Sequence, residues 1–173
     1  MIYQTCLGPH PKITPPLQSR PDQRYNSGSM PPPPPLTRPE RALRFVLRVN
    51  GAITSLALIA VFMPLSWMAQ THRHLGMGPI PTEPVFEYLA RTVSFMYFIH
   101  GTLCLLLSTD VCRFGPVITY VALIELVFAG LVFWIDDKAG MPRPWTWTEA
   151  PLVILFGTSI LALRLRSRRA GTS

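Results

Sequence analysis

"PVITYVALIELVFAGLVFWI", residues 116–135, decides how this chain folds. It holds twenty residues and one charge, Glu125. A helix rises about 1.5 Å per residue, so twenty residues cover the roughly 30 Å hydrocarbon core of a bilayer. Three further apolar segments share this character. They are "FVLRVNGAITSLALIAVFMPLSWM" at about 45–68, "VFEYLARTVSFMYFIHGTLCLLLS" at about 85–108 and "APLVILFGTSILALRL" at about 150–165. The last is short, and "PWTWTE" before it reads as an interfacial turn. Four such segments with so few charges predict an all-α, four-helix transmembrane bundle over residues 42–167.

Composition agrees once it is read by position. The 173 residues are 49% hydrophobic, with mean hydropathy +0.28, yet include 19 prolines and a formal charge of +7. Eleven of the prolines precede residue 40. Residues 1–41 therefore read as a disordered, proline-rich tail on the cytoplasmic side. Proline removes backbone donors and favours an extended tether. Residues 1–20 show no apolar stretch of a signal peptide, and Met30 offers an alternative start. Residues 168–173 read as a basic C-terminal tail.

The helix ends carry their own signals. Pro84 and Pro116 sit where a first helical turn tolerates a missing donor. Gly and Pro in "HRHLGMGPIPTEP" break any helix between segments one and two. "TDVCRFG" is short and predicts that segments two and three are antiparallel neighbours. Pro64 is expected to kink segment one.

Basic residues set the orientation. Twelve Lys and Arg flank the ends that share the N-terminal side; three, Arg73, Lys138 and Arg143, lie on the other. The positive-inside rule places both termini in the cytoplasm of a cell whose inner membrane holds the chain. All four tryptophans, Trp67, Trp134, Trp145 and Trp147, fall on the opposite side, as one interfacial belt. The bases flank apolar segments instead of forming a basic-aromatic strip, so nucleic acid is not an expected partner. The expected partners are the lipid bilayer and either a second copy or another membrane protein.

Charged groups in hydrocarbon are costly, and each is a candidate for function. Glu87 and Arg91 are spaced i, i+4 and predict an ion pair at the outer end of segment two. His100 and Glu125 lie deeper. By helical rise, His100 sits roughly 4–5 Å and Glu125 roughly 1–2 Å inward of the midplane, whereas Arg91 sits roughly 9 Å outward. His100 is the better partner for Glu125 by depth. Arg91 and His100, nine residues apart, fall on opposite faces of one helix. Ala122 and Ala129 share the Glu125 face and permit close helix approach. Asn50 is a third partner. The plain reading makes Glu125 interhelical glue between segments two and three; the sharper one makes it a proton-carrying carboxyl.

Little points to catalysis. The nucleotide, serine-hydrolase and zinc-protease patterns are absent, no catalytic residues are assigned, and an enzymatic role is not the first expectation. No cofactor and no metal is expected. Cys104 and Cys112 read as small buried hydrophobes, and His72 and His74 as part of a solvated loop.

The four short-looped helices, the outer "WTWTEAP" and the gently polar "YLARTVSFMYFIHG" resemble the small four-helix bacterial membrane proteins of the DoxX-like group over about residues 42–166. That resemblance implies an association with membrane redox partners and carries over no site residue. The sequence thus supports a structural or accessory membrane component. Its alternatives are a proton-coupled small-solute carrier using Glu125 and His100, and a quinone- or lipid-binding, redox-associated protein.

Overall fold

The computed structural model describes residues 35–170; the proline-rich stretch before them and the last three residues, both expected as tails, lie outside the described residues. The described chain is helical and contains no strand. It comprises α1 (Arg38–Ser55), α2 (Leu58–Phe62), α3 (Leu65–His74), α4 (Pro84–Leu107), α5 (Gly115–Ala139) and α6 (Arg143–Ala170). Four stretches are long and apolar enough to cross a membrane: α1 with α2, α4, α5 and α6. Large apolar side chains such as Phe45, Phe62, Tyr88, Val127 and Leu155 point outward. Helices that are apolar outward as well as inward are what a membrane-spanning protein presents.

Local chemistry explains where the helices start. Each of α1, α4, α5 and α6 carries a proline in its first turn: Pro39, Pro84, Pro116 and Pro144. There the missing N–H has no helical partner to lose. Helix α1 begins at Arg38, inside the segment expected as tail. The Glu40 carboxylate reaches back to accept from the Thr37 N–H at 2.8 Å, half of a capping box. Gly140 closes α5 in the left-handed conformation, with φ +68°.

Two boundaries differ from the sequence expectation. Segment one is broken, not merely kinked. Pro64 forces Met63 into extended backbone, ψ 132°, so α2 stops at Phe62 and α3 starts anew at Leu65. Segment four is far longer than 150–165. "RPWTWTE" forms its first two turns instead of an interfacial turn, and Pro151 is absorbed within the helix. The reason is packing. Thr146, Ala150, Gly157, Ile160, Arg164 and Ser167 form one buried stripe at helical spacing. At its start, the Trp147 ring meets Phe133 of α5 edge-on, with centroids 5.9 Å apart. The helix also runs on through Ala170, into the expected basic tail.

The arrangement of the bundle is set by small residues. Helix α5 packs closely on α6, and α1 packs on α4 and α6. A Cβ at Gly157 would meet the Ala122 carbonyl at 3.3 Å, which marks the α5–α6 approach. A Cβ at Gly101 would lie 2.6 Å from the Ser55 nitrogen and 2.7 Å from the Gly51 oxygen. Helices α1 and α4 therefore touch backbone to backbone at Gly51 and Gly101. Helices α4 and α5 do not form a close pair, although only seven residues join them. The order across the bundle is α4–α1–α6–α5.

The packed core occupies one end. Leu43, Leu47, Leu107, Val111, Ile118, Val121 and Ile160 are buried there, where α1 begins, α4 ends and α5 begins. Above this floor, α4 and α5 leave room between them.

Candidate functional site

A cleft fills that room. Its volume is about 570 Å³, and all four long helices line it. Its walls are mainly apolar: Val93 and Met96 of α4, Ile124 and Phe128 of α5, Leu152 and Phe156 of α6. Of its polar groups, Asn50 of α1, His100 of α4 and Glu125 of α5 gather at one place; Thr54 and Tyr97 also line it.

These three meet through one carboxylate. Asn50 donates from Nδ2 to Glu125 Oε1 at 2.7 Å. His100 Nε2 lies 3.0 Å from the same oxygen. Glu125 is 6% exposed, while a third of the His100 side chain remains accessible. The second carboxylate oxygen, Oε2, is buried without a hydrogen-bond partner. Such an atom is costly in a low-dielectric interior.

The local fold explains why they meet. His100 precedes Gly101 and Asn50 precedes Gly51, so the backbone contact of α1 and α4 delivers both side chains to one level. Glu125 belongs to the buried stripe of α5, together with Ile118, Ala122, Ala129 and Asp136. Thr54 of α1 donates to the Asn50 carbonyl one turn earlier. The glue expected between segments two and three thus differs in form. Polar side chains bridge α4 and α5 across a cleft, and α1 supplies the third member.

The other sequence candidates do a separate job. Arg91 pairs with Glu87 at 2.8 Å, and both side chains are partly exposed. Its guanidinium also donates to the carbonyls of Val61 and Met63. Those carbonyls lost their helical partners where Pro64 ends α2. Arg91 is thus a cap for a broken transmembrane helix. It takes no part in the His100–Glu125 cluster.

Three features were not legible as site residues. Cys104, read as a small hydrophobe, lies one turn beyond His100 with Sγ 3.6 Å from Nε2. The i, i+4 spacing of His100 and Cys104 was the available signal. Tyr97 lines the cleft, and its hydroxyl donates to Glu149 of α6 at 3.4 Å. Gly51 and Gly101 carried a signal too, as small residues on apolar helices. His72 and His74 lie in the last turn of α3 rather than in a loop. His72 Nδ1 is 3.5 Å from the Gly78 carbonyl and His74 Nδ1 is 2.8 Å from that of Gln70.

The arrangement has the chemistry of an amphiphile site: long apolar walls, with donors and acceptors concentrated at one point. No family model, curated protein or solved structure matches this chain.

Proposed function

We propose that this chain is a multi-pass protein of the inner membrane, with cytoplasmic termini, that holds an amphiphilic molecule in the cleft between α4 and α5. The occupant has an apolar body and an oxygen-bearing head group, as a quinone or an acyl lipid does. The observation that carries this reading is the cleft itself. About 570 Å³ of apolar-walled space ends on Asn50, His100 and Glu125. Apolar walls match a lipid-soluble body, and the polar cluster matches a head group. The same walls favour an amphiphile over a polar solute, which needs a hydrated path. The layout resemblance to the DoxX-like group accords with this reading. The orientation is supported by twelve basic residues against three.

A second reading is purely structural. Glu125 joins α1, α4 and α5 through Asn50 and His100, and an accessory membrane component needs no more than that. The two readings separate in one experiment. Delipidated protein in detergent is titrated with a short-chain quinone or with a phospholipid, and thermal stability is followed. A bound ligand stabilises by RT ln(1 + [L]/Kd), about 2.7 kcal/mol at a hundredfold excess over Kd. Wild type should gain stability from one of these classes, and Ile124→Trp, which fills the cleft, should not. Equal responses of wild type and variant to both would leave the structural role alone standing.

A further inference from the structure

We propose that His100, Cys104 and Glu125 form an intramembrane binding site for a zinc-class divalent cation. The inference stands on its own geometry and does not depend on what fills the cleft.

Three different ligating atoms converge. His100 Nε2, Cys104 Sγ and a Glu125 carboxylate oxygen all lie within 4.8 Å of one another. Two separations are shorter, 3.6 Å from Sγ to Nε2 and 3.0 Å from Nε2 to Oε1. Tetrahedral zinc holds its N, O and S ligands at about 2.0–2.3 Å, so the edges of that tetrahedron are about 3.3–3.6 Å. The histidine–cysteine edge already has that length. The histidine–glutamate edge must open by a few tenths of an ångström, as it would when a cation replaces a hydrogen bond.

The helices make this set rigid. His100 and Cys104 are one turn apart on α4 and share a face. Cys104 is fully buried in the core cluster, and the Gly51–Gly101 contact fixes the height of His100. Asn50 supplies the supporting interaction that ligating carboxylates usually have, its Nδ2 donating to Oε1. Glu125 Oε2, buried without a hydrogen-bond partner, is the second observation that points to a ligand. A cation beside the carboxylate gives that oxygen a positive charge to face.

Charge and softness select the ion. Thiolate and carboxylate together carry two negative charges, and imidazole is neutral when it ligates. A divalent cation makes the whole site neutral, as burial in hydrocarbon demands. Calcium and magnesium prefer oxygen-only shells, whereas a thiolate and an imidazole suit zinc and its late first-row neighbours. The fourth ligand comes from the cleft side, because His100 and Glu125 line the cleft. Binding releases the thiol proton, so affinity should rise with pH.

The test uses the full chain in detergent, washed with a chelator and titrated with Co²⁺ as a spectroscopic probe, then with Zn²⁺ in competition. We expect one Co²⁺ per chain, a thiolate-to-cobalt charge-transfer band, and its loss on adding Zn²⁺. Cys104→Ser should abolish the band and weaken Zn²⁺ binding by more than about 100-fold, since even outer-shell partners are worth 10–100-fold. Cys112→Ser and His74→Ala should leave both unchanged. The wild-type spectrum decides even if Cys104→Ser fails to fold. Absence of a thiolate band, or a band that survives in folded Cys104→Ser, overturns the proposal.

Discussion

Replacing Gly101 by valine should separate α1 from α4 and loosen the polar cluster. A Cβ at this position would sit 2.5 Å from Ser55 Oγ, 2.6 Å from the Ser55 nitrogen and 2.7 Å from the Gly51 oxygen. The hydroxyl can rotate away, but the other two atoms are backbone. Ordinary contact begins near 3.4 Å, so α1 and α4 must part by about 0.7–0.8 Å at their crossing. Overpacking of this kind costs about 1–3 kcal/mol, and two γ-methyl groups put valine at the upper end. Its better helix propensity returns only about 0.3–0.5 kcal/mol. The net expectation is a loss of about 2.5 kcal/mol. Gly130 is the control, because nothing lies within 4 Å of a Cβ built there. Gly130→Val should change stability by no more than about 0.5 kcal/mol. Both variants can be unfolded by sodium dodecyl sulfate in mixed micelles, with tryptophan fluorescence as the readout. If the two variants have the same midpoint, the helices do not meet at Gly101, and the account of how His100 and Asn50 reach Glu125 fails.

Other expectations follow from the same geometry. Glu125→Leu leaves Asn50 and His100 without their shared acceptor, so it should cost about 2–4 kcal/mol in the same assay. Glu125→Gln keeps an acceptor oxygen and should lose less than half of that; equal losses would show that the negative charge, not the hydrogen bonds, matters. Arg91→Met uncovers the Val61 and Met63 carbonyls and should destabilise by about 1–3 kcal/mol. Glu87→Gln removes only a partly exposed ion pair and should cost at most about 1 kcal/mol. Equal effects of the two would refute the helix-capping role of Arg91. Reporter fusions at either terminus should be active only in the cytoplasm, while one placed after Gly140 should be active only outside. Any other pattern contradicts the four-span topology or its orientation.

How far could these features be read from the residues? Segment 85–108 was legible to within one residue at each end, and 116–135 to within one at its start, because length, apolarity and a proline at each start all agree; α5 runs four residues further, to Ala139. Segment four was not. "PWTWTE" holds turn-forming residues, and what makes it helical is a buried stripe against α5, a tertiary effect that no local signal announces. Pro64 was recognised as a disturbance, but whether proline kinks or breaks a helix depends on whether something satisfies the freed carbonyls. Arg91 does so from another helix. Depth alone brought His100 and Glu125 together on paper, since rise per residue fixes height in a membrane. It could not foresee that α4 and α5 stand apart. Helix order depends on the glycine contacts of α1 with α4 and of α5 with α6. The cleft, and the nearness of Asn50 to Cys104, follow from that order, whereas the nearness of Cys104 to His100 was already in their i, i+4 spacing.

The most direct test of the account is to identify what leaves the membrane with the protein. Wild type and Ile124→Trp would be purified gently from native membranes, and their bound lipids extracted and quantified by mass spectrometry. The account predicts one amphiphile close to equimolar with wild type and largely missing from the variant. The same mixture of bulk membrane lipids in both, with no enriched species in wild type, would contradict it.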